Sequence, residues 1–193
     1  GDQTSTVTLS VNDGSSDDDF DSLDDQTVSV TTTDVDTAGL TISKEEVLVT
    51  EGGTEDTFTV ALATKPTSNV VITVSSSDTG EATVSPAQLT FTPGNWNTAQ
   101  DVVVTGIDDS AVDGNQSSVI SLAVVDASSA DEYDSVASGS VTATTTDNDS
   151  AGMGATPLSS STAEDGTTTF TVVLNTQPSS DVVVSATSSD TTE

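Results

Sequence analysis

The chain has 193 residues, with 32 Asp plus Glu against two Lys and no Arg, for a formal charge of −30. Phosphates need Lys and Arg to neutralise them, so nucleic acid is excluded as a partner, and an anionic membrane surface is disfavoured for the same reason. The lack of cysteine rules out disulfides and thiolate metal sites, the lack of histidine removes the usual general base, and no apolar run approaches the ~20 residues that cross a bilayer.

Read from its first residue, the chain repeats itself. GDQTSTVTLSVND at 1–13 lies over GNQSSVISLAVVD at 114–126, and TTTDVDTAG at 31–39 returns as TTTDNDSAG at 144–152, an offset of 113 residues. After a one-residue deletion, TEDTFTVALATKPTSNVVITVSSSDTGE at 54–81 lies over TTTFTVVLNTQPSSDVVVSATSSDTTE at 167–193. A fixed period of this length predicts a linear array in which each copy is one folding unit. We place the end of one repeat at 1–33, a complete repeat at 34–146 and the start of another at 147–193.

Within the complete repeat, period-two alternation predicts strands at 40–43, 47–50, 57–63, 69–75, 89–92, 101–105, 118–125 and 138–145. Phe58, Val60 and Leu62 share one face of the third; Val70, Ile72 and Val74 form the matching face of the fourth. Gly52-Gly53, Lys65-Pro66-Thr67-Ser68, Pro93-Gly94-Asn95 and Asp113-Gly114-Asn115 supply turns between them. No window has helical periodicity. The predicted fold is all-β, an antiparallel β-sandwich of immunoglobulin-like type with seven to nine strands. Trp96, alone in a turn, is expected to pack over one end of the sandwich.

The acidic residues gather at the predicted loops. Val49-Thr50-Glu51-Gly52-Gly53 closes a strand, FTVAL follows, and a hairpin reads LTFTPGNW. VVVTGIDD then runs into Asp113-Gly114, and an Asp-x-Asp ends the repeat before an Ala-Gly restart. With these motifs the repeat resembles the Calx-beta family, the calcium-binding sandwich of sodium–calcium exchangers and of many large bacterial surface proteins. The resemblance covers 34–146 and both flanking copies. It implies Ca²⁺ held by carboxylates at one end of the sandwich, here Glu51, Glu81, Asp108, Asp109, Asp113, Asp147 and Asp149. Asp34 and Asp36 would close the site of the preceding repeat; Glu164 and Glu193 would begin that of the next. The residues fit such chemistry: calcium takes six to eight oxygens in irregular geometry, and Asp147 and Asp149 point the same way from an extended segment. Asn148 and Val35 stand where the family often has a further aspartate, and Asp78 competes with Glu81. The acidic run at 16–25 reads as solvated surface.

These readings lead to a non-enzymatic expectation, since the many serines have no histidine to activate them. The chain is expected to be a calcium-stiffened stalk or filament segment of a secreted, extracellular or bacterial cell-surface protein. Its partners would be calcium, neighbouring repeats and identical chains, without membrane insertion. Two alternatives stay open. One is a calcium sensor; the other is a glycan- or protein-binding adhesion module using the loops at 16–25 and 128–138.

Overall fold

A computed structural model describes residues 1–162 and 166–189. The chain divides into two compact units, Gly1–Thr37 and Ala38–Glu193. The first is an antiparallel hairpin of β1 (Gln3–Leu9) and β2 (Gln26–Thr32), with Gln3 opposite Thr32 and Leu9 opposite Gln26. Two short 3-10 turns, Asp13–Ser15 and Asp18–Phe20, carry the connection between them.

The second unit opens with nine strands: β3 (Leu40–Ile42), β4 (Glu46–Thr50), β5 (Glu55–Leu62), β6 (Val70–Ser76), β7 (Ala82–Ser85), β8 (Gln88–Phe91), β9 (Gln100–Gly106), β10 (Gln116–Val124) and β11 (Gly139–Thr146). They form two sheets, β4-β11-β10-β6-β8 and β3-β5-β9-β7. The inward residues of both sheets build one core. Phe58, Val60, Val70, Ile72, Phe91, Val102, Val104, Ile120 and Leu122 are fully buried there, as alternation along each strand requires. Trp96 packs against this core, and its carbonyl accepts from the Leu62 N–H at 2.9 Å. The all-β sandwich is therefore as expected, with two differences. β7 has only Ala82 and Val84 as apolar residues, too weak an alternation to stand out. And the sheet is not wholly antiparallel, because β4 runs parallel to β11, Val47 opposite Ala143 and Thr50 opposite Thr146.

The outer edge of β4 is blunted by side chains. Leu48 N–H donates to Asp56 Oδ2 (3.2 Å) and Thr50 N–H to Thr54 Oγ1 (2.5 Å), which removes donors that a foreign strand would use. Beyond the sandwich, β12 (Met153–Thr156) pairs with β13 (Thr171–Leu174).

The sequence repeat is mirrored in pairing register. β10 and β11 place Gln116 opposite Thr145 and Leu122 opposite Gly139, the β1–β2 register carried forward by 113 residues. Likewise Met153 lies opposite Leu174 as Leu40 lies opposite Leu62. The surroundings differ. Ile120 and Leu122 are 0% exposed, whereas their counterparts Val7 and Leu9 are 47% and 57% exposed.

Candidate metal centre

Topology gathers the carboxylates. Because β4 and β11 are parallel, both end at the same end of the sandwich, and Glu51 N–H donates to the Thr146 carbonyl at 3.2 Å. Glu51, just past β4, therefore meets Asp147 and Asp149, just past β11. β9 ends there too. Gly106, its last residue, lies so close to the Thr50 carbonyl that any β-carbon would strike it. Its lack of a side chain lets the ends of β4 and β9 approach. The Ile107 N–H then reaches the Glu81 carbonyl at 2.8 Å, which sets Glu81, before β7, beside Asp108 and Asp109. Asp113 precedes β10 at the same end.

Two groups result. Carboxylate oxygens of Glu51, Asp147 and Asp149 lie within 4.8 Å of one another, and so do those of Glu81, Asp109 and Asp113. Two oxygens on one calcium, each at ~2.4 Å, span this distance at most. The donors are all hard oxygens, with no nitrogen or sulfur among them, which suits calcium rather than a transition metal. Seven residues read as ligands from the sequence thus converge on one end of the sandwich. Asp108 belongs to neither triad; its Oδ1 accepts from the Asn148 side-chain amide at 3.2 Å. Asp78 instead caps its own turn, accepting from the Gly80 N–H at 2.9 Å.

The electrostatics are those of carboxylates crowded without cations. Glu51 is 4% exposed. Burial, reinforced by Asp109, Asp147 and Asp149, pushes its carboxyl above the ordinary range, although the Asn148 N–H donates to it at 3.3 Å. Burial also raises Glu81 and Asp149, and the surrounding aspartates add to both shifts. Asp147 is lowered, because the backbone N–H groups of Asp149 (2.7 Å) and Gly114 (2.8 Å) hold its charged form. Each triad keeps one buried oxygen without a hydrogen-bond donor, Asp149 Oδ2 in one and Glu81 Oε2 in the other. Orphaned buried acceptors cost stability unless something else satisfies them.

Sequence reasoning missed Asn148 and Asn115 as participants. Asn148 stitches Glu51 to Asp108, and Asn115 Oδ1 accepts from the Asp147 N–H at 3.3 Å. Asn148 stands where the resemblance expects an aspartate, whereas Asn115, 32 residues before Asp147, is a neutral amide with no ligand signal in the sequence. In the first unit, Asp34 accepts from the Asp36 N–H at 3.0 Å and from the terminal amine, while its own N–H donates to Asp2 Oδ1 at 2.8 Å. This reproduces the bonds around Asp147, one repeat earlier. Asp34 and Asp36 join no acidic triad among the described residues. Glu164 and Glu193 lie outside the described residues.

The opposite end of the sandwich is closed differently. Tyr133 is fully buried, and its hydroxyl donates to the Thr64 carbonyl at 2.6 Å. Glu132 accepts from the Thr67 N–H (2.6 Å) and Oγ1 (3.0 Å). The 128–138 segment, read as a possible contact loop, thus packs onto its own sandwich.

No protein-family model matches the sequence, and no curated protein is detectably similar to it. Among solved structures, the apo form of the Calx CBD1 domain is similar over 59% of this chain and 100% of its own length, with 15% identity and TM-score 0.44. Domains 1–6 of the surface layer protein SbsC are similar over 81% of this chain and 18% of theirs, with 18% identity and TM-score 0.45. The E. coli chaperone DraB is similar over 57% of each chain, with 8% identity and TM-score 0.40. Among the described residues, no helix is long and apolar enough to cross a membrane.

Proposed function

We propose that the acidic end of the sandwich binds two calcium ions, one per triad, and that the protein is a non-catalytic, calcium-stiffened segment of an extracellular or bacterial cell-surface stalk or filament. The observation that carries this reading is the orphaned buried oxygen in each triad, in a chain with only two lysines. Lys44 is engaged elsewhere, with Asp56 at 2.6 Å. Divalent ions would satisfy both oxygens and turn mutual repulsion into cross-links among four loops. Sites of this kind match free calcium at ~10⁻⁴–10⁻³ M, an extracellular concentration.

The stiffening has a route into the next repeat. The loop from Asp108 to Asp113 carries three of the acids, and between them the Ser110 carbonyl accepts from the Gln177 N–H at 2.7 Å. Ala111 and Gln177 form a parallel bridge there. A cavity of about 540 Å³, lined by Val112, Gly152, Met153, Leu174, Pro178 and Val182, lies beside it. Fixing the loop by its carboxylates fixes the contact as well.

Calorimetry of the whole chain with and without chelator tests the proposal. Calcium a hundredfold above Kd adds ~2.7 kcal/mol per site. A melting temperature indifferent to chelation rejects it.

A further inference from the structure

Asp108 and Asp109 are neighbours in one loop, yet only Asp109 joins a triad. Asp108 meets an amide instead: Asn148 Nδ2 donates to its Oδ1 at 3.2 Å. The backbone N–H of the same asparagine donates to Glu51 Oε2 at 3.3 Å. The turn after Glu51 rises against this pair, since a β-carbon on Gly52 would stand 3.6 Å from both Asn148 Nδ2 and Asp108 Oδ1. Asn148 therefore stands between the triads. Its main chain serves Glu51 of one, and its side chain serves the neighbour of Asp109 in the other. The carboxylate oxygens of this end that are buried without a donor belong to Glu81 and Asp149, and neither belongs to Asp108.

We propose that Asn148 fixes the number of calcium ions at this end at about two, by holding Asp108 out of coordination with a neutral donor. The inference rests on the calcium reading above. A hard cation gathers several oxygens, most of them charged. Between the triads there is one spare carboxylate, and the amide turns its donor toward it rather than its oxygen. Aspartate has nearly the shape of asparagine, so the count turns on charge and on the donor alone. A carboxylate at position 148 would set a second negative charge against Asp108, with Glu51 alongside. Like charges this close ionise together only at a cost that a cation among them removes.

Calcium equivalents are counted by isothermal titration on the full chain and on three variants: Asp108→Asn, Asn148→Asp and the two combined. The unmodified chain and Asp108→Asn should each take up about two, and Asn148→Asp about three. The combined variant exchanges donor and acceptor, which restores the pair in reverse, so its count should return to about two. A second readout needs no calcium. In chelator, Asn148→Asp should melt below the unmodified chain, and the combined variant should recover most of that loss. One equivalent in Asp108→Asn makes Asp108 a ligand and overturns the proposal; this variant decides alone if Asn148→Asp does not fold. An unchanged count in Asn148→Asp, or no recovery in the combined variant, overturns it as well. An unmodified chain that takes up no calcium overturns the calcium reading and this inference with it; a normal count there with any of the other failures overturns this inference alone.

Discussion

The two ends of the complete sandwich solve the same problem by opposite means. At one end Tyr133 fills the space and bonds the Thr64 carbonyl, and Glu132 takes two donors from Thr67. Every partner there is supplied by the chain. At the other, six carboxylates in two triads face each other with one orphaned oxygen apiece. The first end is finished by folding; in the proposed function the second is finished by calcium, which the chain does not encode.

The comparison breaks most sharply at Tyr133. Tyr133→Ala removes a fully buried ring and should cost ~3–5 kcal/mol by chemical denaturation, equally with and without calcium. If calcium rescues that loss, the ends are not independent. Next in size, Asp109→Asn should reduce calcium stoichiometry from two to one by isothermal titration and remove ~2.7 kcal/mol of the stabilisation seen at a hundredfold excess. An unchanged stoichiometry would mean that the second triad is solvated surface. Tyr133→Phe keeps the ring and loses the hydroxyl's bonds to the Thr64 carbonyl and Oγ1, for ~1–2 kcal/mol, again independent of calcium.

The smallest effect is the most diagnostic of the acidic end. Glu51, Glu81 and Asp149 have carboxyls raised above 4.5, 4.5 and 3.8. A raised folded value means that the folded state holds the proton more tightly than the unfolded one. Their contribution is therefore fully present below those ordinary values and is lost as pH climbs through the raised ones. Asp147, shifted downward, has the opposite sign: it stabilises above 3.8 and loses that contribution as pH falls through its lowered value. In chelator, Glu51→Gln should raise the melting temperature at neutral pH by about 2 °C and flatten its decline above pH 4.5. A lower melting temperature would show that Glu51 is satisfied without metal.

Much of this was legible in the chain. Phe58, Val60, Leu62 and their partners on β6 announced a sandwich by alternation alone, and the strands at 40–42, 46–50 and 100–106 fell where period two put them. β7 was not legible, because Ala82-Thr83-Val84-Ser85 carries too little apolar contrast and gains its place only by pairing with β9. Glu81 could not be separated from Asp78 by spacing. The Ile107–Glu81 backbone bond made that choice. Asn115 was invisible as a site residue, and Asn148 stood out only as a departure from an expected aspartate, since an amide becomes informative only once its neighbours are known.

By itself, then, the sequence determined the β-period, the 113-residue repeat and the excess of acid at loop positions, because these depend on side-chain order along one strand of chain. Which acids come together was decided only in three dimensions. The parallel placement of β4 beside β11 brings two strand ends nearly a hundred residues apart to one side, and no local pattern encodes the direction in which a strand meets its neighbour.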